Sequence, residues 1–293
     1  MSDRRRAGRT SSREWTRAVS GARRGPARPL EIQSATNVAE GERKYHVGLA
    51  PGEVGAYVLV PGDPARTALI AEHLDDSREV AYSREYRTFT GSIDGVAVSA
   101  VSSGIGGPSA AIAIEELGEL GAHTFLRVGT CGGAQQGIRQ GDLVIATGAV
   151  RSEGTPNGYI PLEYPAIADH QVVSACIESA KSAGVRHHLG VIRSVDALYS
   201  DLVPDRMPRR EELKRELEMW SRAGIVAHDM ESATILVVSS LRGYRAGVIL
   251  LCVDEMGAGE IQHLDRTYMD RMLRVAVDAI RRLVEADRAA SRK

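Results

Sequence analysis

The sequence predicts an α/β domain built on a mixed, largely parallel sheet. Three observations carry this reading. Strand-like apolar runs alternate with helix-like runs from about residue 45 onward, the pattern that places helices on both faces of a sheet. No internal repeat and no linker-like stretch interrupts the alternation after residue 45. The 293 residues are 43% hydrophobic, enough to build a real core.

In chain order, residues 56–60 form an apolar strand, and 65–74 a helix whose start is marked by Asp63 and Pro64. Residues 96–101 are a second strand, followed by a helix at 109–120 opened by Pro108 and Ser109. Strands at 124–128 and 143–150, a helix at 171–183 and a strand at 189–194 come next. A helix at 211–223, a short strand at 225–227, a helix at 231–241 and a strand at 247–253 follow. The final helix, 265–286, shows an apolar stripe at Met269, Met272, Leu273, Ala276, Ile280 and Leu283, close to the helical period.

Composition excludes several classes. A formal net charge of −1 supplies no general attraction to nucleic acid or to a membrane surface. Aromatics at 4% leave little for stacking single-stranded bases. No apolar run approaches the ~20 residues of a membrane span. Cys131, Cys176 and Cys252 are odd in number and far apart, so neither a disulfide framework nor a zinc site is indicated, and a reducing cytoplasm fits. Residues 1–40 stand apart as a basic tail, with arginines among Ser, Ala and Gly. The expected domain is residues 41–293.

Four segments carry candidate chemistry. VPGDPAR, residues 60–66, runs from a strand through Gly62 into a helix whose first turn holds Arg66. Exposed helix N–H groups, a glycine and an arginine suit an oxyanion; an ordinary strand–turn–helix connection with a solvated arginine is the alternative. SSGIGGPS, residues 102–109, and FLRVGTCGGA, residues 125–134, are read as glycine-rich turns at strand ends, where ligands gather in α/β sheets. Neither is GxGxxG, and no P-loop occurs. Arg127 ends a buried strand, so it needs an anionic partner, and Thr130 lies beside it. Two arginines suit orthophosphate better than lysines would. In AHDMESAT, residues 227–234, Asp229 and Glu231 flank Met230. Such a pair can bind a metal, a reading weakened by the lack of further Asp, His or Cys ligands nearby, act as acid and base, grip sugar hydroxyls, or simply complement a helix dipole.

With these segments the chain resembles the nucleoside phosphorylase superfamily, and within it most closely the uridine phosphorylases. The match runs from about residue 45 to 283 through YHVGLA (45–50), VPGDPAR, SREYRTF (83–89), SSGIGGPS, residues 114–130 and DMESAT (229–234). The resemblance implies a single-domain, three-layer α/β/α fold with a central mixed sheet. It implies that Gly62, Arg66, Arg127 and Thr130 bind phosphate, with Arg84 supplied by a neighbouring subunit. His46 would cross the same interface toward the ribose, while Asp229, Met230 and Glu231 would hold the sugar; Asp229 stands where the family usually has glutamate. Glu85, Ile105 and Ser109 match positions that hold a monovalent cation between subunits in some relatives. No organic cofactor is implied, phosphate being the co-substrate. The expected assembly is a dimer with shared sites, within a hexamer of three dimers.

The base end departs from the pattern. Leu202 and Pro204 stand where uridine phosphorylases carry a glutamine and an arginine that hold uracil, and neither side chain can make those bonds. Leu198, Tyr199 and Arg206 are the remaining base-pocket candidates. Uridine phosphorylases have an Asn-Arg pair near Glu255 and Met256, whereas purine nucleoside phosphorylases of the superfamily place there an aspartate that protonates the leaving purine, a part open to Asp254 or Glu255. The expected reaction is therefore phosphorolysis of a nucleoside, with Arg127, Glu231, Asp254 and Glu255 as the catalytic candidates. Uridine or a modified uridine comes first and a purine nucleoside second. A hydrolase or a non-catalytic nucleoside-binding protein of the same fold is disfavoured by the phosphate arginines.

Overall fold

The computed structural model describes residues 43–256 and 265–292. The basic tail and residues 257–264 lie outside the described residues. Ten strands form one sheet that partly closes on itself. The central strand is β5 (Thr124–Gly133), which pairs in parallel with β1 (Tyr57–Val60) and β10 (Arg245–Asp254). From β10 the hydrogen bonding passes to β6 (Leu143–Ser152), β8 (His187–Val195) and β9 (Ala227–Asp229), then back to β5. On the other side β1 continues into β4 (Val96–Val101), β3 (Tyr86–Ile93) and β2 (Asp75–Ser83). The two-residue β7 (Ala166–Ile167) pairs with β6.

Helices cover both faces, giving the three layers. One apolar cluster joins the sheet to α2 (Gly107–Glu119) and α6 (Ser232–Leu241), through residues such as Ile114, Leu117, Ile235 and Val238. The other joins it to α1 (Pro64–Ala71), α3 (His170–Ser182) and α7 (Arg266–Ala290), through Ile70, Val172, Cys176, Met272 and Ile280. Strands buried on both faces read as continuous apolar runs, which is why β1, β5 and β10 are visible in the sequence. Two short or polar helices, α4 (Leu198–Leu202) and α5 (Arg210–Arg222), form a separate flank. No helix among the described residues is long and apolar enough to cross a membrane.

The sheet is evenly mixed rather than largely parallel: five strand pairs run parallel and five antiparallel. Much of the antiparallel share comes from β2, β3 and the short β7, which the sequence does not announce. β2, DDSREVAYS, is mostly exposed and lacks apolar alternation. The segment after Val128 is a second correction. It continues as strand to Gly133, because Gly132 and Gly133 pair with His228 and Ala227 of β9. The glycines are needed for close approach: a Cβ on Gly129 would sit 2.8 Å from the Arg127 guanidinium, and one on Gly132 3.1 Å from the Asp254 carboxylate. α1 ends at Ala71, not residue 74, and β9 starts at Ala227, not residue 225.

Candidate active site

The carboxyl ends of β1, β5, β9 and β10 open into a cavity of about 1230 Å³. Its phosphate-side candidates come from two neighbouring strands. Gly62 and Arg66 follow β1, and Arg127 and Thr130 lie on β5, all four lining the cavity. Asp63 caps α1 by accepting a hydrogen bond from the Ala65 N–H at 2.8 Å. This sets Arg66 in the first turn, where its Nη1 donates to the Val128 carbonyl at 3.4 Å. Burial, reinforced by the nearby Arg127 charge, holds the Arg66 guanidinium below its ordinary range against the pull of Asp63 and Glu231. A positive centre held in that setting favours an anion.

Arg127 has the anionic partners its burial demands, and it has two. Its Nε donates to Asp229 Oδ2 at 2.8 Å, and its Nη2 pairs with the Glu231 carboxylate. Burial alone would lower the Arg127 pKa, but Glu231 and Asp229 outweigh it and hold it above the usual value. Nη1 is buried with no partner among the described residues.

The two carboxylates differ in setting. Asp229 is saturated within the protein: it accepts from Arg127, from Ser194 Oγ at 2.6 Å, and from the Ser232 N–H at 3.0 Å and hydroxyl at 2.5 Å. It therefore aims Arg127 and caps α6, and its side chain has no exposed surface. Glu231 sits just before α6, binds the Gly106 N–H at 2.7 Å and borders the cavity. Burial raises the Glu231 pKa, with Arg127 opposing it. Met230 lies between them on the cavity wall.

His46 and Arg84 do not line this cavity. His46 Nδ1 lies 2.6 Å from Glu116 Oε1. Arg84 sits at the β2–β3 turn with φ of 53°, its guanidinium 5.5 Å from the centre of the Tyr45 ring, which is 67% exposed. Glu85 and Ile105 do reach the cavity, and Ser109 Oγ donates to Glu85 Oε1 at 2.7 Å. Among the described residues no group of three or more His, Cys, Asp or Glu side chains could hold a metal ion.

On the remaining wall, Leu198, Leu202, Pro204 and Arg206 line the cavity, whereas Tyr199 does not and points 64% exposed to solvent. Asp254 and Glu255 both line it. Burial pushes the Asp254 carboxyl up to about 6, and no described side chain donates to it. Glu255 is exposed and accepts a 3.4 Å bond from the Gln140 N–H. The structure adds residues that the sequence does not single out. His228 and Asp201 line this wall, and Asp201 is paired at 2.7 Å with the buried Arg193. Only the β8–β9 pairing and the placement of α4 bring these three together, and no local spacing signals it.

Comparison with known proteins identifies the family. The family model described as the phosphorylase superfamily matches residues 56–286. The chain is 43% identical over 249 residues to a uridine phosphorylase of Treponema pallidum (strain Nichols), covering 83% of this chain and 95% of the relative. It is 47% identical over 208 residues to a uridine phosphorylase of Thermococcus kodakarensis, covering 70% and 75%. It is also 36% identical over 247 residues to a guanosine phosphorylase of Halorubrum lacusprofundi, covering 81% and 98%. A fold of this topology, a match across nearly all the described residues and these identities establish that the chain belongs to the phosphorylase superfamily.

Proposed function

We propose that the protein catalyses reversible phosphorolysis of a nucleoside, with uridine as the first substrate, giving free base and a sugar 1-phosphate. The observation that carries this is the convergence of Arg66, Arg127 and Glu231 at the ends of β1 and β5 in one cavity. Orthophosphate bound by Gly62, Arg66, Arg127 and Thr130 would face the sugar carbon that loses the base. Its charge would steady the oxocarbenium-like transition state, so catalysis rests on positioning and preorganised electrostatics. Glu231 accepts from sugar hydroxyls, bonds that strengthen as positive charge develops on the ring. Asp229 acts on phosphate through Arg127.

Arg84, exposed, and His46, half-buried, both lie outside the cavity of their own chain and would complete the site of a second copy. The active unit is then a dimer, and a hexamer of three dimers is the assembly we favour. Glu85, Ile105 and Ser109 would form the monovalent cation site beside that interface, and the enzyme would work in the cytoplasm. The relatives named uridine phosphorylase support uridine as substrate. Asp254 favours a second reading, a purine nucleoside: a carboxyl with a pKa of about 6 can donate a proton to a departing purine.

The test is a screen of uridine, thymidine, inosine and adenosine for base release in phosphate buffer. Uridine turning over fastest supports the first reading. Inosine or adenosine fastest supports the second. Turnover of none overturns both.

A further inference from the structure

Among the described residues the wall formed by β8, β9 and α4 holds a polar chain that the phosphate and ribose roles leave unused. Arg193, 9% exposed at its side chain, donates from Nη1 to Asp201 Oδ2 at 2.7 Å. Its Nε is fixed by Ser152 Oγ at 3.0 Å, and its guanidinium stacks 5.7 Å from the centre of the Trp220 ring. Asp201 is thus a held carboxylate. The same Oδ2 lies 3.8 Å from Nδ1 of His228. That nitrogen is sealed from solvent and has no hydrogen-bond partner among the described residues; Nε2 is not so sealed, and the residue lines the cavity.

The position suits the base rather than the phosphate. His228 is paired with Gly132, two residues beyond Thr130 on β5, or about 7 Å along the strand. Gly132 in turn faces Asp254. Burial, helped by the Arg193 charge and opposed by Asp229, pushes the His228 imidazole down to about 4, so it is neutral at physiological pH. In a neutral imidazole one nitrogen donates and the other accepts. The charge of the Asp201 carboxylate, 3.8 Å from Nδ1, favours the proton there, which leaves the Nε2 lone pair free on a residue that lines the cavity.

We propose that His228 reads the base, using Nε2 as a hydrogen-bond acceptor, with Asp201 and Arg193 as positioning residues. This rests on the phosphorolysis reading above and narrows its substrate class. The acceptor requires a base whose ring edge carries an N–H next to a carbonyl. Uracil offers N3–H, and hypoxanthine and guanine offer N1–H. Adenine and cytosine present a bare ring nitrogen there, lone pair against lone pair. The arrangement takes over the task for which Leu202 and Pro204 have no donors or acceptors.

The experiment compares kcat/KM in phosphate for uridine, inosine, adenosine and cytidine. The preferred N–H nucleoside is then set against its N-methylated form, 3-methyluridine or 1-methylinosine. The wild-type enzyme should cleave uridine or inosine ahead of adenosine and cytidine, and the methylated form at least about 10²-fold more slowly. His228→Ala should lower kcat/KM for the parent nucleoside by about 10–10² and narrow the methylation ratio to below about tenfold, acting on KM. His228→Gln, which keeps an acceptor, should retain the preference even if the alanine variant folds poorly. Asp201→Asn should raise KM with kcat nearly intact. Equal cleavage of parent and methylated forms, an unchanged ratio in His228→Ala, or a preference for adenosine or cytidine overturns the role of His228 and leaves phosphorolysis standing. No phosphate-dependent cleavage of any of the four overturns both.

Discussion

Replacing Arg127 by methionine tests the buried charge cluster at the heart of the site. Methionine approximates the length of the arginine stem and removes the guanidinium. Asp229 and Glu231, with side chains 0% and 5% exposed, would then lose the cation that pairs with both of them. Deleting one partner of a buried ion pair costs about 3–5 kcal/mol. At about 2–4 °C per kcal/mol for chains of this order, the melting temperature at pH 8 should fall by roughly 6–20 °C. The sign of the pH dependence follows from the same picture. Burial already raises the Glu231 pKa with Arg127 opposing it; removing Arg127 raises it further. The folded variant then binds more protons than the unfolded chain, so its stability declines as pH rises above the ordinary carboxylate range near 4.5. The deficit should therefore shrink between pH 8 and pH 5.5, measured by calorimetry. Phosphorolysis should fall on the order of 10²–10³-fold in kcat. A variant as stable as wild type, or one with the same deficit at both pH values, would refute the reasoning.

Four further outcomes are expected. Glu231→Gln should reduce kcat by about 10²-fold or more and lower the melting temperature less than Arg127→Met does, since Asp229 still pairs with Arg127 and the amide still accepts from the Gly106 N–H; a loss confined to KM would contradict its role in the transition state. Mixing Arg84→Ala and Glu231→Gln subunits after dissociation and reassembly should restore activity absent from either alone, because one composite site is then intact; no recovery would argue against a shared site. If a purine is the substrate, wild-type kcat should fall as pH rises through about 6, where Asp254 loses its proton, and Asp254→Asn should remove that limb from the pH profile. Glu153 is buried with Oε2 unpartnered, and burial pushes its pKa up to about 7. Its native form holds a proton the unfolded chain releases, so wild-type stability declines as pH rises from about 4.5 to 7. Glu153→Gln should melt above wild type at pH 8 and lose that advantage at pH 5.

The parts of this fold legible in sequence are those whose physics is local. β1, β5 and β10 are apolar on both faces, and α7 carries a continuous stripe. The β2–β3 hairpin is polar and half exposed, so no periodicity marks it. The glycines after Val128 resemble a turn in sequence, yet they serve close strand approach to Arg127 and Asp254. The need of Arg127 for an anionic partner followed from the cost of burying a charge; that Asp229 and Glu231 both supply it depends on where β9 meets α6. Asp229, grouped by sequence with the sugar contacts, is instead consumed by Arg127, Ser194 and Ser232. Tyr199 lies in the right segment but faces solvent, because α4 turns Leu198 and Asp201 to the cavity instead. His228 carries no spacing signal, and its neighbours come from two other elements.

Orthophosphate, held by Arg66 and Arg127, is proposed as the co-substrate, and following uridine with the purified protein by phosphorus NMR and base release, with and without inorganic phosphate, puts this to the test. A sugar 1-phosphate resonance should grow in step with free base, with no base release when phosphate is withheld. Base released at the same rate in phosphate-free buffer, with no sugar phosphate formed, would contradict it.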